Sequence, residues 1–247
     1  MNSLTKTFFL SHCRQTIVDK ITELKTQGYE LTSKKDNTPL TNLDTAISEI
    51  VENFIHTKFK EICFYSEEKH KTLFFPALII DPIDGTREFI NNIPEYCVSV
   101  GFYFEQSILS QNNWSWIYNP ATQEEFLQTK TIRYKKKKNL LGFISKTEYA
   151  SGFLNNTKGS NIKIQPIGSI AYKLALLAQG KCDFVISSKP KNIWDIAAGV
   201  LQCAEAGYKF YEKGKEVTKL DKIKYLPPLL WCHEKDKERI TSSLEKS

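Results

Sequence analysis

The sequence predicts an α/β fold, and three observations carry the prediction. A strand-type apolar run, Ala77-Leu78-Ile79-Ile80, halts at Asp81. The next residue, Pro82, fixes φ and brings no N–H to a ladder, so the run should not simply continue as a central strand. Between Leu140 and Leu201, strand-type and helix-type segments alternate. The chain's 247 residues, 41% of them hydrophobic, suffice for a full core.

Taken in order, Ser3 to Gln27 reads as an amphipathic helix, with Phe9, Cys13, Ile17, Ile21 and Leu24 at helical spacing and Gly28 as its stop. A polar segment follows, and Thr41 with Asp44 forms a short version of the N-terminal capping box. Ala46, Ile47, Ile50, Val51, Phe54 and Ile55 continue that second helix. Cys63-Phe64-Tyr65 is a brief strand running into Ser66-Glu67-Glu68. Tyr96 to Phe102, Trp114 to Pro120 and Glu125 to Leu127 form an antiparallel meander, turning between Asn119 and Gln123. Leu140 to Ile144 is a buried strand, and Ile162 to Ile167 alternates as an edge strand does. Gly168-Ser169 opens a helix to Gly180, Cys182 to Ile186 is a strand, and Trp194 to Leu201 starts a helix rich in small residues. From Tyr208 the chain reads as strands closing at Leu229 to Cys232, then a charged terminal helix. With no repeats and no true linker, one domain is expected over 1–247. Its halves, 1–134 (α+β) and 139–247 (α/β), meet at the lysine run Lys135 to Lys138.

That run, with Arg133 before it, supplies much of the net charge of +6, and a solvated loop is expected there rather than a nucleic-acid contact. A mild positive excess steers anionic substrates. The six cysteines include no Cys-x-x-Cys pair, and their spacing suits free thiols in a reducing cytoplasm. The run Thr7-Phe8-Phe9-Leu10 is too short for a secretory core, and no apolar stretch approaches the ~18 residues of a membrane span.

The chemistry gathers at Asp81-Pro82-Ile83-Asp84-Gly85-Thr86. Two carboxylates at the end of a strand, where ligands collect in open α/β sheets, suit a hard cation with a phosphate beside it. Gly85 lets the backbone approach an anion closely. Asp44 and Asp195 each have a local explanation, since an acid in a helix's first turn is favoured by the macrodipole. Glu67 reads alone as a surface acid, unless its strand pairs with the one ending at Asp81.

Four motifs nevertheless stand in order: Pro39-Leu40-Thr41-x-x-Asp44, Ser66-Glu67-Glu68, Asp81-Pro82-Ile83-Asp84-Gly85-Thr86 and Trp194-Asp195-x-Ala197-Ala198-Gly199. Together they resemble the signature of the inositol monophosphatase superfamily of Mg²⁺-dependent, lithium-sensitive phosphatases, over roughly residues 30 to 210. The resemblance implies an αβαβα five-layered sandwich. It assigns Glu67, Asp81, the Ile83 carbonyl, Asp84 and Asp195 to the metals, and Asp44 and Thr86 to orienting and activating the attacking water, with Glu67 also catalytic. Substrate contacts fall on Glu67, Ile83, Asp84, Gly85, Thr86 and Asp195. Two or three Mg²⁺ ions, Mn²⁺ as a substitute and Li⁺ as an inhibitor are implied. So is a small phosphorylated substrate, with neither membrane nor nucleic acid as partner, for a monomer or homodimer.

Within the superfamily, Arg87-Glu88-Phe89 after the Asp-Gly-Thr resembles the bacterial CysQ branch, which removes the 3′-phosphate from adenosine 3′,5′-bisphosphate. Tyr96-Cys97-Val98-Ser99 and Lys191-Asn192-Ile193-Trp194-Asp195 agree with that branch. Lys35, Arg87, Lys146 and Lys173 are candidate cations for the second phosphate. The helix from Gly168 to Gly180 has the inositol-type length, however, and Ile186-Ser187-Ser188 lacks the Tyr-Pro-Arg of CysQ sequences. An inositol-1-monophosphatase or broad sugar-phosphate phosphatase is therefore the alternative. A catalytically weak homologue that binds RNA or protein through its lysine run is a third reading.

Overall fold

The computed structural model describes residues 2–33, 39–69, 72–127, 130–152 and 161–244. The chain opens with α1 (Asn2–Phe8), a π-helical segment (Phe9–Cys13) and α2 (Arg14–Gln27), one nearly continuous helical run as the spacing predicts. A ribbon of β1 (Leu31–Ser33) and β2 (Pro39–Thr41) leads into α3 (Asn42–Lys58). Then come β3 (Cys63–Ser66), β4 (Ala77–Asp84), α4 (Thr86–Ile90), β5 (Cys97–Tyr103), β6 (Trp114–Asn119) and β7 (Glu124–Phe126). These five strands form one sheet in the order β3-β4-β5-β6-β7, parallel at β3–β4 and antiparallel elsewhere.

The second stretch runs β8 (Leu140–Ile144), α5 (Lys146–Ala150), β9 (Ile162–Pro166), α6 (Ile170–Ala178), β10 (Phe184–Ser187), β11 (Lys191–Asn192) and α7 (Ile193–Ala206). It closes with β12 (Lys209–Glu212), β13 (Lys215–Glu216), β14 (Lys224–Tyr225), β15 (Leu229–Cys232), a 3-10 turn and α8 (Lys237–Leu244). Six of these strands make a second sheet, β13-β12-β15-β10-β8-β9, with β9 at its edge, while β11 and β14 form a separate ribbon. Lys135 to Lys138 lie in irregular chain between the two sheets.

Strand alternation sorts the core into five layers. Along β4, Leu78 and Ile80 face Ile17, Ile21, Ile47 and Val51 of α2 and α3, whereas Ala77 and Ile79 face the opposite cluster with Leu174, Ile196, Ala197 and Val200 of α6 and α7. Val185 of β10 joins that central cluster from the second sheet, and its neighbours Phe184 and Ile186 turn outward with Ile240 of α8. The order is helices, sheet, helices, sheet, helix: the αβαβα sandwich.

One expectation is corrected. The strand that reaches Asp81 does not stop there: β4 runs on through Pro82 to Asp84 as an interior strand. The missing N–H is tolerated because the register with β5 shifts between Asp81 and Asp84, so Pro82 sits in a bulge, and pairing with β3 has already ended at Ile80. No helix among the described residues is long and apolar enough to cross a membrane.

Helices α6 and α7 pack closely because Gly199 has no side chain; a Cβ there would stand 2.5 Å from the Cβ of Leu174. Gly199→Val overfills this contact and adds a β-branched residue to a helix. It is expected to lower unfolding stability by about 3 kcal/mol in urea denaturation, and unchanged stability would refute the close packing.

Candidate active site

Parallel pairing of β3 with β4 brings Ser66 level with Ile80, so Glu67 leaves its strand at the same end where Asp81 and Asp84 leave theirs. The N-termini of α6 and α7 arrive at that end as well. A cavity of ≈ 260 Å³ results, lined by Glu67, Asp81, Ile83, Asp84, Gly85, Thr86 and Asp195. Seven of the eight site residues read from the sequence thus share one wall. The eighth, Asp44, is buried and does not line the cavity, yet its charge acts on Asp81.

Local geometry fixes each acid. Asp44 accepts from Thr41 N (2.9 Å) and Thr41 Oγ1 (2.6 Å), which completes the capping box of α3. Asp195 does the same for α7, accepting from Asn192 N at 2.8 Å. Asp84 accepts from Ser169 Oγ and Ala171 N, both at 2.5 Å, at the start of α6. Asp81 accepts from Ile83 N at 3.1 Å, and Thr86 Oγ1 donates to the Ile83 carbonyl at 3.0 Å. Asp81, Asp84 and Asp195 each commit one oxygen this way; the other has no hydrogen bond among the described residues.

Glycine is required at Gly85. Its φ is +93°, and a Cβ would stand 3.1 Å from both the Glu95 carbonyl and the Tyr96 Cβ. Ser169 carries a positive φ of 48° without being glycine, and its hydroxyl holds Asp84 while capping Tyr172 N. Ser169 thus joins a strained backbone to a carboxylate of the cavity, and the sequence signals it only by its place at a helix start.

Electrostatics follow from the crowding. Burial, then the charges of Glu67, Asp84, Asp195 and Asp44, push Asp81 well above the usual carboxylate range. Burial likewise raises Asp195, with Asp84 and Glu67 adding to it and Lys191 opposing, to about 7. Among the described residues, no three acids, imidazoles or thiols stand close enough as placed to enclose a metal ion. The donor set is still that of a hard cation: four carboxylates and a carbonyl, all oxygen, with repulsion that positive charge would relieve.

Of the four cations proposed for a second phosphate, Lys35 lies outside the described residues. Arg87 is exposed at the mouth, and Lys146 pairs with Glu95 at 2.8 Å. Lys173 is buried, and its Nζ donates to the carbonyls of Ile167 (3.0 Å) and Gly168 (3.4 Å). A fourth lining cation, Lys191, was not singled out from the sequence as a phosphate ligand. Only the β11–β14 ribbon, which pairs Lys191 with Tyr225, fixes its place on the wall.

Comparison with known proteins identifies the family. A domain model of the inositol monophosphatase family matches residues 12–246, so the chain belongs to that family of phosphatases. Nus factor SuhB of Vibrio cholerae is 28% identical over 205 residues, covering 72% of this chain and 73% of that protein. Inositol monophosphatase 3 of Solanum lycopersicum is 26% identical over 204 residues, 72% and 75% of the two chains. Among solved structures, an IMPase/NADP phosphatase complexed with Mg²⁺ and phosphate superposes with a TM-score of 0.80 at 18% identity, over 99% of this chain and 95% of the other. The Thermotoga maritima IMPase gives 0.78 at 20% identity, over 100% and 98%.

The raised carboxyls predict a pH effect on the metal-free protein. An acid with a folded pKa above its unfolded value holds its proton longer in the native state, so its contribution to stability is present at low pH and is lost as pH rises from about 4 towards 7. Asp195→Asn keeps a side-chain acceptor for the cap and removes the charge. In the presence of a chelator it should stabilise the protein more at pH 8 than at pH 5 in thermal unfolding, and an equal effect at both would contradict the repulsion.

Proposed function

We propose that this chain is a Mg²⁺-dependent phosphomonoesterase whose favoured substrate carries a second phosphate, with adenosine 3′,5′-bisphosphate as the leading candidate. The observation that carries the reading is an acid floor and a cationic wall sharing one cavity. Glu67, Asp81, the Ile83 carbonyl, Asp84 and Asp195 are the residues that would hold two or three ions, with Mn²⁺ as a substitute and Li⁺ as an inhibitor. When bound, such cations neutralise phosphoryl oxygens, lower the pKa of water and stabilise a departing alkoxide. The chain's own contributions are orientation and charge. Gly85, with its positive φ and its close packing on Glu95, Tyr96 and Ser169, sets the turn that brings the backbone to the cavity, and Thr86, pinned to the Ile83 carbonyl, follows it on the lining. In this reading Asp44 and Thr86 align the attacking water, with Glu67 assisting; burial of Asp44 within electrostatic reach of Asp81 supports its part. Six cysteines, all buried and unpaired, suit work in the reducing cytoplasm.

A second reading, hydrolysis of inositol 1-phosphate, is favoured by relatives that bear the name inositol monophosphatase. Phosphate release from adenosine 3′,5′-bisphosphate, inositol 1-phosphate and simple sugar phosphates, with and without Mg²⁺ and Li⁺, separates the two. A preference for inositol 1-phosphate would overturn the first. Asp84→Asn should cut turnover more than about 100-fold while circular dichroism stays native, since a metal ligand loses its charge. Full activity in that variant would reject the metal assignment. Asp44→Asn should lower kcat and leave the Mg²⁺ concentration for half-activation nearly unchanged; a large shift in that concentration would move Asp44 into the metal shell.

A further inference from the structure

We propose that Lys191 is the specificity residue of this cavity, the cation that receives a second anionic group on the substrate, so that discrimination between bis- and monophosphorylated esters resides there. The inference rests on the phosphomonoesterase reading above and deepens it.

Four cations line the described cavity, and their surroundings differ. The ammonium of Lys173 is spent on two carbonyls of the chain, and Lys146 is neutralised by Glu95, which also accepts from Gly168 N at 2.6 Å. Both hold the loop before α6 in place. Arg87 is exposed, where water and salt screen it. Lys191 alone among the four is both half-buried and, among the described residues, without an ion pair or hydrogen bond at its ammonium. It stands near enough to Asp195, Glu148 and Lys173 for its charge to be felt by all three.

The wall that carries it is tied to its neighbours on two sides. Lys191 is held in the β11–β14 ribbon, directly before the cap of α7. Across the wall, buried Glu148 accepts from Ser187 Oγ (3.1 Å), Ser188 Oγ (2.9 Å), Ser188 N and Ser145 Oγ, tying the loop before β11 to the turn that bears Lys146. Lys191 is attracted by Asp195 and Glu148 without bonding to either and is repelled by buried Lys173, so its ammonium keeps its donors for an anion that enters the cavity. The phosphoryl group undergoing hydrolysis belongs to the acid side, at Asp84 to Thr86. A second phosphate or carboxylate a few atoms along the substrate would meet the Lys191 ammonium and take up its open donors. A charge-assisted contact of this kind is worth about 10-fold to 100-fold in affinity.

The test uses substrate pairs that differ only in the second anion: adenosine 3′,5′-bisphosphate against adenosine 3′-monophosphate, and inositol 1,4-bisphosphate against inositol 1-phosphate. In wild type the bisphosphate of at least one pair should have the higher kcat/KM. Lys191→Met should lower the ratio of bisphosphate to monophosphate kcat/KM about 10-fold to 100-fold, chiefly through KM, and Lys191→Arg should restore much of it. Equal losses within a pair would assign Lys191 to the reacting phosphoryl group or to folding and overturn the proposal. So would an unchanged ratio, or a wild type that prefers the monophosphate in both pairs. If wild type hydrolyses none of the four with Mg²⁺, the phosphatase reading itself has failed, a result distinct from lost discrimination.

Discussion

Mutual repulsion among carboxylates is the constraint around which this molecule is arranged. Burial, and then the charges of acids at positions 44, 67, 84 and 195, raise the proton affinity of Asp81, and burial with the charges of Asp84 and Glu67 raises that of Asp195. Left to themselves such groups would splay apart. They are held by backbone N–H groups at helix starts: α3 for Asp44, α6 for Asp84 and α7 for Asp195. Each start carries the partial positive charge of a helix N-terminus, so three macrodipoles converge on the acids and offset part of their charge. Positive charge placed among the acids would offset what remains.

The layered architecture serves this end. The parallel pair β3–β4 carries its acids out at one end of the first sheet, and α6 and α7, packed between the sheets, start at the same end. Gly199 allows those two helices to approach until Leu174 nearly touches the backbone of α7. The seating of α7 on the first sheet is thus what delivers Asp195 to acids more than a hundred residues earlier in the chain.

Capping alone would account for an acid at a helix start, and here the capping acids also act on a third carboxylate. Asp44 and Asp195 both complete capping boxes and both act on the Asp81 carboxyl. The cap bond fixes the orientation of the carboxylate, at no cost to its charge. Ser169 is a related case: its hydroxyl caps α6 and donates to Asp84 from a left-handed backbone that few residues would accept.

Periodicity along the chain determined most of the elements, because burial on one face of a strand or helix writes a period of two or 3.6 into the sequence. Motif order likewise determined the family, and seven of the eight residues it singled out line one cavity. The extent of β4 past Pro82 was decided elsewhere, by a shift in register with β5 that leaves no local trace. The different fates of Lys146, Lys173 and Lys191 were also settled only by folding. A lysine's role depends on which carboxylate or carbonyl reaches its ammonium, and Glu95, Ile167 and the Lys224–Tyr225 strand come to those positions through tertiary contacts that sequence spacing does not encode.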